Sequence, residues 1–262
     1  QLSLIDIFHL SDEQINILFS SRIPRTVSIL LSGSSLALSG LIMQQMMQNK
    51  FVSPTTAGTM EWAKLGILMS LLFFPNGPIL IKLLFAVVLS IVGTFLFVQL
   101  INLIRVKDVI FVPLLGIMIG GILSSFTTFV ALRTNALQSI GNWLTGNFAV
   151  ITSGRFEVLY LTIPLLILAF VFANHFTIAG MGKDFSHNLG VSYEKIIKIA
   201  LFITATLTAL VVVTVGTLPF LGLIVPNIIS IYRGDHLKNA LPHTLMLGAI
   251  FVLIADIIGR II

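Results

Sequence analysis

The chain has 262 residues, of which 56% are hydrophobic and 10% are charged, and its mean hydropathy is +1.06. This composition excludes a disordered chain and an ordinary soluble domain, and it predicts an integral membrane protein. The chain has no cysteine, which excludes disulfide bonds and thiolate metal sites. Its net charge of +5 comes from basic residues between apolar stretches, so it indicates membrane topology and not nucleic-acid binding.

Charged and turn residues divide the chain into about eight predicted membrane crossings, because ~20 apolar residues suffice to cover the hydrocarbon core. The predicted fold is an all-α, polytopic helical bundle in which residues 1–262 form a single transmembrane domain. The crossings are predicted near residues 26–47, 58–74, 79–103, 110–131, 157–174, 197–216, 219–232 and 240–258. Residues 1–25 are expected to form an amphipathic surface piece, and residues 134–155 a polar hairpin or half helix.

The basic residues of the loops favour one orientation, because cytoplasmic loops carry an excess of Lys and Arg. If the loop after the first crossing is cytoplasmic, more basic residues lie inside than outside. The inside set is Lys50, Arg105, Lys107, Lys183, Lys195, Lys198, Arg233 and Lys238. The outside set is Arg22, Arg25, Lys82, Arg133, Arg155 and Arg260. The two faces are accordingly named the predicted cytoplasmic side and the predicted outer side.

An uncharged stretch over residues 199–232 is too long for one crossing. Gly216 and Pro219 therefore predict a turn at a membrane face, with a helix on either side. Gly222 and Pro226 fall in the first turns of the second helix, a position tolerated only where protein or a cavity covers the backbone. Pro219, Gly222 and Pro226 are predicted to shape this turn, which is typical of a transporter and not of a simple anchor.

Residues 120–128 combine glycine with hydroxyl side chains over more than two helical turns. Small residues in membrane helices mostly serve close packing. A polar stretch that covers two faces of one helix also predicts a water-accessible path. The five residues predicted to line this path are Gly120, Gly121, Ser124, Ser125 and Thr128.

Few ionisable residues lie within the predicted crossings. Glu61 and Lys64 are three residues apart, and Asp256 and Arg260 are four residues apart. Because residues at these spacings share a helix face, Glu61 is expected to form a local, structural ion pair with Lys64, and Asp256 with Arg260. The five histidines are scattered, without the spacing of a metal site. The sequence contains neither the Gly-x-Ser-x-Gly nucleophile elbow of hydrolases nor a Gly-Lys-Ser/Thr phosphate-binding loop. The chain is therefore predicted to be no enzyme and to bind no metal. If ATP drives it, a partner subunit hydrolyses the ATP.

Four sequence blocks occur in a fixed order along nearly the whole chain. They are residues 22–25 with the small-residue-rich span that follows, and residues 44–58, 181–190 and 219–227. Together they resemble the FecCD-type permeases of bacterial ABC importers for iron–siderophores, haem and vitamin B12. Met181, Ser186, Pro219, Asn227 and Ser230 stand where that family more often has Leu, Ala, Gly, His and Arg. This variant is similar to the catecholate-siderophore branch.

The resemblance implies a subunit of about ten helices in the bacterial plasma membrane, so this chain is expected to lack the first and the last helix. It implies import of iron–siderophore complexes by alternating access. The implied partners are a second permease subunit, two cytoplasmic ABC ATPase subunits and an extracytoplasmic substrate-binding protein. No cofactor is expected on this chain, because ATP and Mg would be used by the ATPase.

The resemblance also implies roles for individual residues. The predicted ATPase-coupling residues are Gly182, Asp184, Phe185, Ser186, His187, Leu189 and Gly190. The predicted docking residues for the binding protein are Arg22, Arg25 and Arg260, since opposite charges steer docking. The predicted path with its outer gate comprises the five residues of stretch 120–128 together with Asn142, Thr145 and Asn147.

Other functions remain open from the sequence. A permease of the same importer class for haem, vitamin B12 or a bare metal ion is the nearest alternative, although a metal path should show inward-facing His, Asp or Glu. An ion-coupled secondary transporter would show inverted repeats and intramembrane acids, for which Glu61 and Asp256 are the only candidates. An intramembrane enzyme would need a nucleophile–base pair, and none can be named.

Overall fold

Every regular element in the described residues, 12–104 and 109–261, is helical in the computed structural model. The eleven α-helices of these residues are α1 Asp12–Ile17, α2 Ile23–Met46, α3 Thr59–Phe73, α4 Ile79–Leu103, α5 Phe111–Arg133, α6 Leu137–Leu144, α7 Thr162–Ala179, α8 Lys183–Asn188, α9 Tyr193–Thr214, α10 Leu221–Arg233 and α11 Leu237–Ile261. A π-helical turn, Leu18–Arg22, joins α1 to α2, and a 3-10 helix, Phe156–Leu161, leads into α7. Arg105, Lys107 and residues 1–11 of the predicted surface piece lie outside the described residues.

Six helical runs, counted within the described residues, are long and apolar enough to cross a membrane. They are Gln14–Met46, α4, α5, Phe156–Ala179, α9 and α11. The other two predicted crossings coincide with α3, of 15 residues, and α10, of 13 residues. Each of the eight predicted crossings therefore overlaps a helix, but two of these helices are shorter than a full crossing of about 20 residues.

α3 is short because the stretch before it, residues 47–58, has no regular structure; residues 52–54 and 56–58 of this stretch are buried. Ser53, Thr56 and Ala57 in this stretch are at most 4% exposed. Their polar groups bond to one another: Ala57 N donates to Ser53 O at 2.9 Å, and Ser53 N donates to Thr56 Oγ1 at 2.8 Å. Irregular backbone at membrane depth is tolerated where the protein satisfies it in this way.

α10 is short because the stretch before it, residues 215–220, makes a turn. Gly216 has a φ of +97° and Phe220 a φ of +63°. The left-handed region suits a glycine and strains a residue with a side chain, so the tight turn holds Phe220 in a costly conformation. Pro219 and Phe220 are exposed at the tip of the turn, whereas Gly216 is buried.

α2 and α9 form the centre of the bundle. In each, 72% of the most apolar stretch is buried, against 22–33% in the other four long helical runs. Buried hydroxyl groups on α9 donate to carbonyls of their own helix, as Thr204 does to Ala200 at 2.9 Å and Thr208 to Thr204 at 2.7 Å. These bonds satisfy polar groups that would otherwise be costly in the interior.

Small residues let helices of the bundle approach closely, as their frequency predicts. α2 meets α11 where Gly33 faces Gly248: a Cβ built on Gly33 would lie 2.4 Å from the Gly248 carbonyl oxygen. α3 meets α4 where Gly66 faces Phe85, with 2.5 Å between the built Cβ and the Phe85 carbonyl oxygen.

The described part of the predicted N-terminal surface piece is not a separate element. It continues α2 outward, so that Gln14–Met46 is one helical run of 33 residues. Pro24 has no N–H to give to the Ser20 carbonyl four residues earlier. That carbonyl instead accepts a bond from Ser153 N at 3.2 Å, at the π-helical turn. Residues 134–155 contain the half helix that was one of the two forms expected, namely α6.

Candidate functional site

The segment expected to couple to an ATPase contains α8, a short helix between α7 and α9. Gly182 precedes α8 with a φ of +110°, and Gly190 follows it with a φ of +71°. Both values lie in the region that favours glycine, because a Cβ would meet the backbone there. These two glycines make the sharp turns through which α8 leaves α7 and the chain enters α9.

Ser186 is the buried member of the predicted coupling set. Its side chain is 0% exposed, and its Oγ donates to Gly182 O at 2.8 Å and lies 3.2 Å from Ile178 O. Val191 N in turn donates to Ser186 O at 2.9 Å. Ser186 therefore holds α8 against the end of α7, and it does not face outward as a contact residue would.

The other side chains of the predicted set point away from the bundle. Asp184, Phe185, His187 and Leu189 are exposed, with Phe185 at 43% and Leu189 at 53%. Two large apolar side chains exposed beside charged ones on a short helix are typical of a surface that enters the groove of a partner.

The turn between α7 and α8 contacts the end of α2 through two residues to which the sequence analysis gave no role. Gln48 Nε2 donates to Gly180 O at 2.8 Å. Gln45 packs so closely on Gly180 that a Cβ built there would lie 2.3 Å from Gln45 Nε2. Both glutamines belong to the second recognised block, residues 44–58. These contacts join the turn that precedes α8 to the end of the central helix α2.

Lys50 makes a second link on the predicted cytoplasmic side. Its Nζ donates to Ser230 Oγ at 2.7 Å and forms a salt bridge with Asp235. Asn227 Nδ2 donates to Lys50 O at 2.9 Å. The hydrogen bond from Lys50, followed by the one from Ser230, lowers the pKa of the Asp235 carboxyl. Asn227 and Ser230 are positions at which the chain departs from the common family pattern. Here Asn227 binds the backbone carbonyl of Lys50, and Ser230 binds its ammonium group.

Three predicted docking arginines lie on the predicted outer side, and two of them share one carboxylate. Asp256 Oδ1 accepts hydrogen bonds from Arg25 Nε, at 3.2 Å, and from Arg25 Nη2. Asp256 Oδ2 lies 3.1 Å from Arg260 Nε, which forms the ion pair expected from their spacing. The Asp256 side chain is 7% exposed, Arg25 21% and Arg260 40%, while Arg22 is exposed in the π-helical turn. The cluster of Arg25, Asp256 and Arg260 has a net charge of +1.

A cavity of about 380 Å³ lies beside this cluster. Its lining includes Arg25, Asn147, Phe148, Leu218, Phe251 and Asp256. The predicted turn contributes Pro219 and Leu221 to the same cavity. The structure therefore brings the arginine cluster, part of the predicted gate and the turn before α10 to one place on the outer side.

The predicted gate segment is held against the end of α9. Trp143 Nε1 donates to Val213 O at 2.9 Å, and Asn147 N donates to Val215 O at 3.0 Å. Arg155 Nη2 also reaches Val213 O, at 3.4 Å, and its guanidinium lies 5.4 Å from the centre of the Trp143 ring. Thr145 and Asn147 are exposed, while the Asn142 side chain lies outside what the structure describes.

The predicted path residues of α5 differ in exposure. Gly120 is buried, Ser124 and Thr128 are half-buried, and Gly121 and Ser125 are exposed. Thr128 Oγ1 donates to Ser124 O at 2.8 Å, and Ser125 Oγ to Gly121 O at 2.9 Å. The hydroxyl groups of Ser125 and Thr128 thus each donate their single proton to a carbonyl of α5. The lone pairs of these two hydroxyl oxygens remain able to accept a hydrogen bond.

The expected ion pair between Glu61 and Lys64 is present, with 2.8 Å between Oε1 and Nζ. No group of three or more His, Asp or Glu within residues 12–104 and 109–261 is placed to hold a metal ion.

Comparisons with known proteins confirm the resemblance. Residues 1–262 match the FecCD transport family. The chain is 54% identical over 261 residues to the petrobactin import system permease protein YclN of Bacillus subtilis (strain 168), covering 100% of this chain and 83% of that protein. It is 37% identical over 245 residues to the ferric-anguibactin transport system permease protein FatD of Vibrio anguillarum (strain ATCC 68554 / 775), covering 94% and 78%.

A solved structure agrees with the fold. It is described as an ABC transporter of metal-chelate type in an inward-facing conformation, and it superposes with a TM-score of 0.80 at 22% identity. The match covers 96% of this chain and 81% of that chain. The chain therefore belongs to the FecCD transport family.

Proposed function

We propose that this chain is the permease subunit of an ATP-driven importer that moves iron–siderophore complexes across the bacterial plasma membrane by alternating access. The observation that carries the proposal is the family match over the whole chain, combined with relatives named for petrobactin import and ferric-anguibactin transport. The bundle of long apolar helices supports a multi-pass membrane location.

The exposed face of α8 is the proposed contact with a cytoplasmic ABC ATPase, which would use the ATP and Mg. Phe185 and Leu189 supply apolar contact area, and Asp184 supplies a charge at the first turn of α8. Ser186 fixes α8 to α7, and Gln48, just after α2, binds the turn between α7 and α8, so that movement of the ATPase would be passed to the centre of the bundle.

The outer arginines are the proposed contact with an extracytoplasmic substrate-binding protein. Arg260 is the most exposed member of the cluster around Asp256, and the cluster keeps a net positive charge. A positive patch at the outer mouth would steer an acidic partner into place. The neighbouring cavity and the gate segment around Asn147 lie where a delivered chelate would enter.

Two alternatives fit the geometry less well. A bare metal ion would need a cluster of ligands along its path, and the described residues contain none. An ion-coupled transporter would need intramembrane acids that are free to bind the coupling ion. Glu61 and Asp256, the two candidates, each form ion pairs with basic side chains.

The test is uptake of labelled ferric siderophores, haem and vitamin B12 by cells that lack the gene and are complemented with full-length protein. The key variant combines Asp184→Arg with Leu189→Asp, and the matched control combines Asp184→Asn with Leu189→Met, which keeps the shape of the α8 surface. We expect a ferric siderophore to enter with wild type and control but not with the key variant, although that variant reaches the membrane. Uptake restored by the key variant would contradict the coupling role, and rescue of haem or vitamin B12 uptake alone would contradict the substrate.

A further inference from the structure

A cavity of about 630 Å³ lies between α4 and α9 on the predicted cytoplasmic side. Its lining comes from the cytoplasmic ends of these two helices, together with the residues that follow α2, the start of α5 and the start of α8. None of the lining residues belongs to the predicted coupling, docking or path residues. The cavity is therefore separate from the sites described above, and its volume is in the range of ligand pockets.

The polarity of the cavity changes with depth. Because a helix rises about 1.5 Å per residue, Asn102 and Gln99 lie about 2 and 6 Å from the cytoplasmic end of α4, and Phe95 about 12 Å. On α9, Lys198 lies about 8 Å from the cytoplasmic end and Leu201 about 12 Å. The head-group layer of a bilayer is only about 5–8 Å thick on each side. The cavity therefore begins among lipid head groups with polar side chains and ends at hydrocarbon depth with apolar ones.

One exposed face of α4 leads into this cavity. Val88, Val92 and Phe95 are spaced four and three residues apart, so they share a face of the helix, and they are 48%, 43% and 41% exposed. Gln99 and Asn102 continue the same spacing to the cytoplasmic end of α4. Phe95 thus belongs both to the cavity and to an apolar surface at membrane depth. Such a surface suits a lipid acyl chain.

The mouth of the cavity has donors that the described residues leave without a partner. Lys198 is exposed and forms no ion pair or hydrogen bond with any described residue. The side chains of Gln99 and Asn102 are exposed and likewise form no hydrogen bond within the described part of the chain. The lining also holds one carboxylate, that of Glu194, but Lys183 Nζ lies 3.7 Å from its Oε1. One cation and two amides therefore remain for an anion, and the charged lining residues sum to +1.

We propose that this cavity binds the phosphate group of an anionic phospholipid. Lys198 pairs with the phosphate, Gln99 and Asn102 donate hydrogen bonds to its oxygens, and an acyl chain lies along Phe95 toward Val88. Basic pockets between membrane helices on the cytoplasmic side suit anionic head groups. A free phosphate would use the donors at the mouth but not the apolar depth, which favours the lipid. The inference goes beyond the proposed function, because it concerns the membrane and not the chelate.

The experiment uses the full-length protein in detergent, together with the subunits that copurify with it. The probes are phosphatidylglycerol, phosphatidylcholine with the same acyl chains, and glycerol 1-phosphate, and native mass spectrometry measures the apparent affinity of the first bound lipid. We expect phosphatidylglycerol to bind about tenfold more tightly than phosphatidylcholine. Lys198→Gln should lower the phosphatidylglycerol affinity about tenfold, because a charge-assisted hydrogen bond is lost. Lys195→Gln, at an exposed lysine of α9 outside the lining, is the matched control and should stay within about twofold of wild type.

A second pair of variants tests the cavity without changing any charge. Gln99→Trp places a large side chain at an exposed position of the lining, so it should obstruct the mouth and lower phosphatidylglycerol binding although Lys198 is intact. Leu100→Trp is its control, because Leu100 is 42% exposed on the same helix and does not line the cavity. Unfolding temperatures measured without added lipid should be equal for all four variants and wild type, which shows that the fold is intact.

Selective loss in Lys198→Gln and Gln99→Trp would support the inference. Equal loss in Lys198→Gln and Lys195→Gln would indicate diffuse attraction to the basic surface, and unchanged binding in both cavity variants would place the lipid elsewhere; either result would overturn the site. Equal binding of the two lipids would overturn the preference for an anionic one. Displacement of phosphatidylglycerol by an equal concentration of glycerol 1-phosphate would show a site for free phosphate and overturn the lipid assignment. Loss of the lipid site with normal chelate uptake would leave the proposed function intact.

Discussion

Gly40 and Gly222 bring α2 and α10 into backbone contact: a Cβ built on Gly40 would lie 1.7 Å from the Gly222 carbonyl oxygen and 2.6 Å from the Gly222 Cα. Pro226, four residues after Gly222, has no N–H with which to bond that carbonyl. The Gly222 oxygen is therefore free to lie against α2. The proline and the two glycines together seat the short helix α10 on the central helix.

Gly40→Ala should consequently destabilise the bundle. The new methyl group would meet backbone, which cannot rotate away, so the two helices must separate, at a cost of about 1–3 kcal/mol or more. We expect a lower unfolding temperature in detergent and a smaller monodisperse fraction in size-exclusion chromatography. Gly141→Ala is the control, because a Cβ on Gly141 meets nothing within 4 Å. An unchanged unfolding temperature for Gly40→Ala would contradict the close contact.

Ser186→Ala should loosen α8 without unfolding the bundle. The variant loses the bond from Ser186 Oγ to Gly182 O, at a cost of about 1 kcal/mol. Hydrogen exchange should therefore become faster at the amides of α8 and at Val191, while α2 and α9 stay protected. Ser192→Ala is the control, because the exposed Ser192 makes no side-chain capping bond at the start of α9. Equal protection of α8 in both variants would argue against an anchoring role for Ser186.

Local features of the fold were predictable from the sequence. The crossings follow from apolar length and charge spacing, and the Glu61–Lys64 and Asp256–Arg260 pairs follow from helical periodicity, since partners three or four residues apart share a face. The positive φ values at Gly182 and Gly190 fall on glycines, the residue type that most readily adopts this conformation.

Features that join distant parts of the chain were not predictable. Arg25 and Asp256 are separated by 231 residues, and Lys50 and Asp235 by 185, so no spacing rule indicates that they meet. The burial of Ser186 likewise depends on how α8 lies against α7. The sequence indicated that α5 is polar on two faces, but only the packing of α3 shows that Gly120 lies against Glu61.

Arg25 and Arg260 should differ in effect although both bind Asp256. Arg25 is the less exposed, so Arg25→Gln removes a part-buried partner of Asp256 and should mainly lower thermal stability. Arg260 is 40% exposed, so Arg260→Gln should mainly slow association with the binding protein, in a salt-dependent way. Association rates measured by surface plasmon resonance at two salt concentrations, beside unfolding temperatures, separate the two effects. Identical changes in both variants would contradict this division.

Asp235 should make stability depend on pH through Lys50 and Ser230. Their hydrogen bonds lower the pKa of the Asp235 carboxyl below its usual 3.8. A carboxyl with a lowered folded pKa stabilises the protein above its unfolded pKa, and this contribution is lost as the pH falls through the folded pKa.

We therefore expect Asp235→Asn to lower the unfolding temperature at pH 7 and pH 5, and the difference from wild type to shrink as the pH falls below 3.8. Both partners are largely exposed, so solvent screening limits the effect to about 0.2–1 kcal/mol. Lys50→Met should produce the same loss at neutral pH, because it removes the main cause of the lowered pKa. Thermal unfolding in detergent across this pH range measures both variants. A difference between wild type and Asp235→Asn that stays constant down to the lowest pH would show that the carboxylate is not what Lys50 stabilises.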